Sequence, residues 1–419
     1  MKILDVVGTR PQLIKAAALQ PALRARHDVV FVDTGQHWDP ALAGSFFAEL
    51  DLPEPDHGLG IGGGSGTEQV GRMLLALEPV IEAERPDVVL VYGDTNSTLA
   101  GALAASKAGI PVAHVEAGLR SFDRRMPEEV NRVVADHLAT WLFAPTPAAV
   151  ENLAAEGLTA GVVRVGDLMQ DLAARVSATV RDPAVLAPIG AALGPAAGPP
   201  LGPGAGSGHD ADLAPGTYVF ATIHRAENRE PSAIAAWSAI LADAALGGSR
   251  PVILALHPGT RAAIVAAGVS LAPAIRVVEP LGYRATLALQ LHAAAVLTDS
   301  GGVQREAAWL GTPCLVLRGT TEWVEAVAGS GGTMVVTGLD RTRAGAEIAR
   351  LAPPDRAPAL AAARAAALDL RPAGAADAIA AAIADGVPRR AGGSDGGDPA
   401  AGGSDGGDPA ATHRGGTHR

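Results

Sequence analysis

Short apolar runs recur along the chain and alternate with longer Ala/Leu-rich stretches. MKILDVV, VVFVDTG, DVVLVYGD, IPVAHVEAG, TWLFAPT and GVVRVGD are apolar throughout their centres, with no polar alternation. That pattern predicts strands buried on both faces. The segments between them carry helical spacing, so the first part of the chain reads as a parallel sheet covered by helices. The alternation stops over 182–216, an Ala/Gly/Pro-rich segment with the composition of a surface loop or linker. It restarts at TYVFATIH and runs through PVILALHP, IRVVEP, AAVLTDSGG, TPCLVLRG and GTMVV. Two doubly wound halves are therefore expected on either side of one irregular segment. An Ala-rich stretch from Ala357 to Asp385 reads as a closing helix. GGSDGGDPAA then occurs twice, at 392–401 and 402–411, and has nothing apolar to bury; disorder is expected there.

Composition adds limits. A chain of 419 residues suits two α/β domains better than one core. A formal charge of −11 argues against a nucleic-acid surface, while leaving room for a local basic pocket. Cys314 is the single cysteine, which excludes an internal disulfide and a thiolate metal cluster. The 11 histidines lack zinc-like spacing. The N-terminus reads as a first strand rather than a signal peptide, and no run approaches about 18 apolar residues. A protein of the reducing cytoplasm, without a membrane span, is the expectation.

The polar motifs cluster just after the apolar runs, where ligands of open parallel sheets bind. In GTRPQLIK, Gly8 suits a tight turn and Pro11 a first helical turn, leaving Arg10 and Lys15 either as solvated cations or as holders of a diphosphate. Asp94 in GDTNST is either an N-cap or an acid/base carboxylate. HVEAGLRSFDRRMPEEVNR is the densest polar stretch. Pro127 reads as the first residue of a helix, and Glu128 and Glu129 favour its dipole, so one of them is open to a purely structural role. Glu128 and Arg132 are spaced to pair. Yet Glu116, Arg120, Glu128, Asn131 and Arg132 together exceed what a helix start needs, and clustered carboxylates suit general acid/base work. His224 and Arg225 follow the first strand of the second half. Ser300, Gly301 and Gly302 offer backbone N–H groups at a helix start, an anion site. Glu306, one turn in, suits the hydroxyls of a ribose.

Taken in order, GTRPQLIK, TGQHWD, GDTNSTLAGALAA, HVEAGLR, PEEVNR, TIHRAEN, TDSGGVQREA and RGTTEWVEAV resemble the non-hydrolysing UDP-N-acetylglucosamine 2-epimerases, from Gly8 to about Val336. The resemblance implies a glycosyltransferase-B-like α/β fold of two Rossmann-like, doubly wound domains around an interdomain cleft. The domains would be 1–166 and 167–366, with a last helix at about 367–389 crossing back and a disordered tail over 390–419. It also implies elimination of UDP to a 2-acetamidoglucal intermediate and re-addition after protonation of carbon 2 from the other face. Asp94, Glu116 and Glu128 would be the acid/base carboxylates. Arg10, Lys15 and His224 would contact the diphosphate, with His224 also counted among the catalytic groups. Ser300, Gly301, Gly302, Glu306 and Arg318 would bind UDP. No metal or redox cofactor is implied, and a homodimer is.

Some positions depart from the family's commoner motifs. Arg305 stands where many relatives have a second acidic residue, RGTTEWVE replaces a form with arginine and proline, and LHPGTR replaces one with asparagine before the proline. TGQHWD lacks the arginine seen in members regulated by a second UDP-N-acetylglucosamine. These variants resemble a branch that includes 2-epimerases of UDP-2,3-diacetamido sugar uronates. A glycosyltransferase of the same fold, a hydrolysing epimerase and a silent nucleotide-sugar binder are the other readings. The carboxylate cluster weighs against the first, and intact Asp94, Glu116, Glu128 and His224 against the last.

Overall fold

Every one of those apolar runs forms a strand, and all strands are parallel. The computed structural model describes residues 1–36, 47, 49–192, 201, 213–246, 249–321 and 323–386. The first sheet holds β1 (Lys2–Val7), β2 (Asp28–Asp33), β3 (His57–Gly58), β4 (Val88–Tyr92), β5 (Val112–Val115), β6 (Trp141–Ala144) and β7 (Val162–Arg164), in the order β3-β2-β1-β4-β5-β6-β7. The second holds β8 (Val219–Ile223), β9 (Val252–Leu256), β10 (Ile275–Val278), β11 (Ala295–Thr298), β12 (Cys314–Val316) and β13 (Met334–Val336), in the order β10-β9-β8-β11-β12-β13. The shared order reverses direction between β1 and β4, and again between β8 and β11. Each reversal opens a crevice at the carboxyl ends of its strands.

Helices on both faces explain the uninterrupted apolar strands. One core layer of the first domain contains Ile3, Phe31, Leu90 and Trp141; the opposite layer contains Leu4, Val32, Val89 and Met73. The first layer continues through Leu168 and Leu172 of helix Leu168–Val180 to Leu287 and Leu291 of helix Tyr283–His292, which belongs to the second half. Ile379 and Ile383 of helix Ala375–Ala384 join the same layer, so the end of the described chain packs on the first domain.

Three details differ from expectation. The Ala-rich stretch is not one helix but two, Ala357–Ala367 and Ala375–Ala384. Pro372 lies between them, and Gly374 sits at φ 78°, a left-handed turn that a continuing helix does not allow. The segment opening at 182 is not loop throughout: helix Leu186–Ala192 follows a 3-10 turn capped by Asp182, and Leu186 is buried with Tyr218 and Phe220. Averaging over a Gly/Pro-rich window hid it. The edge strand β3 has two residues and no apolar run to announce it. The repeat-bearing tail, and His37 to Asp39 of TGQHWD, lie outside the described residues. Among those described, no helix is long and apolar enough to cross a membrane.

Candidate active site

The carboxyl ends of β1, β4 and β5 bring the first group of polar residues together. Gly8 is not in a left-handed turn. It is required by proximity: a Cβ there would lie 2.0 Å from the Thr34 hydroxyl and 2.3 Å from that of Ser97. Helix Arg10–Arg24 starts immediately after, and its Gln12 donates to the Tyr92 carbonyl at 2.9 Å, tying it to the end of β4. Lys15 is thereby buried against that strand end, where its ammonium pairs with Glu116. Gly93 (φ 62°) leaves just enough room, since a Cβ would come within 3.2 Å of the Glu116 carboxyl and 3.3 Å of the Lys15 ammonium.

Asp94 is not an N-cap. Thr95 caps helix Asn96–Lys107, accepting from the Thr98 N–H. The Asp94 carboxyl is left to pair with Arg132, and Asn131 donates to the Asp94 carbonyl at 2.9 Å. Arg132 also binds Glu129 at 2.6 Å. Glu129 accepts from Ser121 N, Ser121 Oγ and Phe122 N, each at 2.9 Å, so it is the structural glutamate of the PEE pair. Glu128 is exposed and does not pair with Arg132; among the described residues no hydrogen bond or ion pair holds it. Arg120 faces away from the group, clamped between Asp136 at 2.7 Å and Glu156 at 2.7 Å.

Glu116, immediately after β5, sits at φ 71°, a left-handed conformation rare for a residue that carries a Cβ. Such strain persists where the surroundings over-determine it, as they do at reactive positions. Burial pushes the Glu116 carboxyl up, but Lys15 and Arg305, with Arg132 beyond them, outweigh it and hold it below the ordinary glutamate range. It is therefore an anion at neutral pH.

The second sheet supplies the facing wall. Asp299, fully buried after β11, accepts from the backbone N–H of His224 (3.1 Å) and Arg225 (3.0 Å) and from the Asn228 side chain (2.9 Å), fixing the HRAEN loop. The His224 ring is partly exposed, with Nδ1 3.2 Å from Asp299. Burial and the guanidiniums of Arg225, Arg229 and Arg318 push the imidazole below its usual range against the pull of Asp299. Ser300 caps helix Gly301–Trp309, so the N–H groups of Gly301 and Gly302 fall in its first turn, where no carbonyl lies four residues back. Arg318 Nε lies 3.7 Å from Glu227.

Arg10 reaches across from the first domain and donates to the Leu281 carbonyl at 2.6 Å. Glu306 turns inward rather than toward open cleft: Gln290 donates to it at 2.6 Å, and burial, against Gln290, Arg305 and Arg10, raises its carboxyl to about 7. Arg305, which stood out only as a motif departure, is stacked: its guanidinium lies 3.7 Å from the centroid of the Trp323 ring. Asp167, Asp299 and Trp323 were not singled out from the sequence. For the aspartates the available signal was position, each ending an apolar run just before a helix.

The structure thus joins Lys15, Glu116 and Arg305, and separately Asp94 and Arg132. It sets His224, Ser300, Gly301, Gly302 and Arg318 on the opposing strand ends. Lys15 and Arg132 are balanced by carboxylates on the first wall, while Arg225, Arg229 and Arg318 surround His224 on the second, a local cationic surface in a chain of net charge −11 that fits an anionic ligand.

Known proteins share this sequence pattern and this fold. The sequence model of the UDP-N-acetylglucosamine 2-epimerase family matches residues 21–383. The UDP-2,3-diacetamido-2,3-dideoxy-D-glucuronate 2-epimerase of Pseudomonas aeruginosa is 42% identical over 350 residues, covering 81% of this chain and 90% of its own. The UDP-N-acetylglucosamine 2-epimerase of Escherichia coli K12 is 34% identical, with 84% and 90% covered. The crystal structure of the Methanocaldococcus jannaschii UDP-GlcNAc 2-epimerase, in complex with UDP-GlcNAc and UDP, superposes with a TM-score of 0.77 at 33% identity, covering 92% of this chain and all of that one. By sequence, by fold and by the two-domain arrangement of the cleft, this chain belongs to the UDP-N-acetylglucosamine 2-epimerase family and is an isomerase.

Proposed function

We propose that the protein interconverts UDP-N-acetylglucosamine and UDP-N-acetylmannosamine by elimination and re-addition. The observation that carries this reading is the buried, strained and ionised Glu116, held by Lys15 at the mouth of β5. A carboxylate there takes the proton from carbon 2 while the C1–O bond to UDP breaks and C1=C2 forms. The double bond is then protonated at carbon 2 from the other face, and a UDP oxygen re-bonds to carbon 1. We assign the opposite proton transfer to Asp94, whose carboxyl faces Arg132 of helix Pro127–Leu138; Glu128, exposed in the first turn of that helix, has room to move a proton outward. Arg10 and His224 hold the diphosphate, and Lys15, paired with Glu116, sets its charge beside it. The Ser300–Gly302 turn and Arg318 bind UDP, with Glu306 behind the ribose. Residues 1–166 then supply the acid/base groups and 167–366 the nucleotide site. The scheme needs neither metal nor redox cofactor.

The test is to incubate the protein with UDP-N-acetylglucosamine in deuterated water and follow the sugar by NMR. Product with deuterium at carbon 2 is expected. Product that keeps its original hydrogen there excludes the scheme.

A second reading has one specific observation in its favour: identity is 42% to the diacetamido-glucuronate enzyme, against 39% to the M. jannaschii and 34% to the E. coli UDP-N-acetylglucosamine enzymes. Under it the substrate carries a second acetamido group and a carboxylate. Comparing kcat/KM for the two sugars decides between them. We also take the protein to be cytoplasmic and, on family resemblance, a homodimer; cell fractionation and light scattering check these.

A further inference from the structure

We propose that Arg305 is a positioning residue whose guanidinium, carried across the cleft by helix Gly301–Trp309, holds the Glu116 carboxylate in its reactive orientation only when the two domains are closed together. The inference rests on the acid/base role given to Glu116 above.

Arg305 is buried within the second domain's helix yet makes its ionic contacts outside it. Nη1 pairs with Asp167, at the crossover between the domains, and lies 3.3 Å from Glu116 Oε1 in the first. Nη2 lies 3.1 Å from Met169 Sδ, and Nε donates to the Gly301 carbonyl at 3.3 Å. The guanidinium plane is held from behind by Trp323, 3.7 Å from its centroid, and more loosely by Trp309 at 5.9 Å. A stacked guanidinium has few orientations left, so its fork stays aimed. The chain crosses the cleft elsewhere too: Arg10 bonds Leu281, Arg284 bonds Glu49, and Ala148 bonds Glu325. Among the described residues, only the Arg305 contact touches Glu116 or Asp94.

The two cations on Glu116 therefore differ in kind. Lys15, on helix Arg10–Arg24, moves with β5 and stays in any arrangement of the domains. Arg305 arrives with the second domain and leaves with it. Around them stand Lys15, Arg132 and Arg305 facing Glu116, and Asp167, Glu116 and Glu306 facing Arg305. Lys15, Arg305, Glu116 and Asp167 balance in charge, which offsets the cost of burying all four. Opening leaves Glu116 with a single anchor and one oxygen free to turn. The nucleotide-bearing domain thus readies the base as it closes.

The experiment is the pH dependence of kcat, measured on the full chain with whichever of the two sugars named above the wild type turns over. Arg305→Gln removes a cation from Glu116, so the acidic limb is expected to move to higher pH and kcat at neutral pH to fall on the order of 10²-fold, the scale of a misplaced catalytic group. Arg305→Lys keeps the charge and is expected to return the limb toward its wild-type position with only part of kcat restored. Asp167→Asn, which keeps Arg305 and retains the side-chain oxygen that caps Met169, is expected to move the limb to lower pH; it carries the test if Arg305→Gln does not fold. A limb that stays put in Arg305→Gln, or in Asp167→Asn where only that variant folds, overturns the inference, whatever happens to stability. If Glu116→Gln turns over normally, or the wild type acts on neither sugar, the acid/base reading itself falls and the inference with it.

Discussion

Asp136 offers the most exacting check on how the site is built, because it touches no proposed reacting group and yet holds the turn beneath one. It is fully buried on helix Pro127–Leu138. Its carboxyl accepts from His114 Nδ1 at 2.6 Å, from the Gly118 N–H at 3.1 Å, and pairs with Arg120 at 2.7 Å. His114 passes the constraint on, with Nε2 2.7 Å from the carbonyl of Gly93, next to Asp94. One carboxylate therefore braces the residues flanking both Glu116 and Asp94. Asp136→Ala removes all three contacts. Breaking a buried ion pair costs about 3–5 kcal/mol. Arg120 keeps Glu156, so the lower end, about 3 kcal/mol, is expected. For a domain of ordinary size that is a fall of about 6–12 °C in the melting temperature. The two domains need not unfold as one, so the first calorimetric transition is the one to follow. Burial pushes Asp136 up, but His114 and Arg120 outweigh it and hold it below the ordinary aspartate range. Its contribution is present above the unfolded pKa and lost as pH falls through the lower folded one, so variant and wild type converge only in strong acid. Turnover should fall too, measured well below the variant's melting point. A shift under about 2 °C at neutral pH, or a deficit that closes on raising the pH instead, would refute the bracing role.

Other outcomes follow from the same geometry. Asp94→Asn and Glu116→Gln should each lower turnover on the order of 10²–10⁴ while calorimetry finds UDP affinity within a few-fold of wild type. Arg10→Ala and His224→Ala should do the opposite, weakening UDP about 10-fold or more through a lost charged hydrogen bond; unchanged affinity sinks their assignment. Burial raises Glu306 to about 7, so the stability tied to its protonated form is complete below the ordinary glutamate value of 4.5 and disappears as pH rises through about 7. Glu306→Gln should therefore lose less melting temperature than wild type between pH 5 and 8; identical slopes would contradict this. Composition alone predicts that ending the chain after about Arg390 leaves activity and melting temperature nearly unchanged.

The strands, and the strand ends on which the candidate site residues gather, were legible in the sequence because both follow from local pattern. Runs apolar throughout mean strands covered on both faces, and polar motifs after them mean strand ends, which in a parallel sheet are one side of the molecule. The order of ordinary Rossmann halves then puts GTR beside GD and TIHR beside DSGG. What local pattern could not resolve was competition between neighbours in sequence. Asp94 and Thr95 are both good caps, and only the fold assigns the cap to Thr95 and leaves Asp94 for Arg132. Glu128 and Glu129 are equivalent at a helix start, and only the packing of Ser121 and Phe122 buries the second. Arg305 is an extreme case: in the sequence it is an oddity in a helix, and its partners Glu116, Asp167 and Trp323 come from three distant segments. The same holds for Asp136 with His114 and Arg120. Ion pairs of this kind carry no periodicity, because what selects them is the desolvation of charges that meet only once the layers have packed.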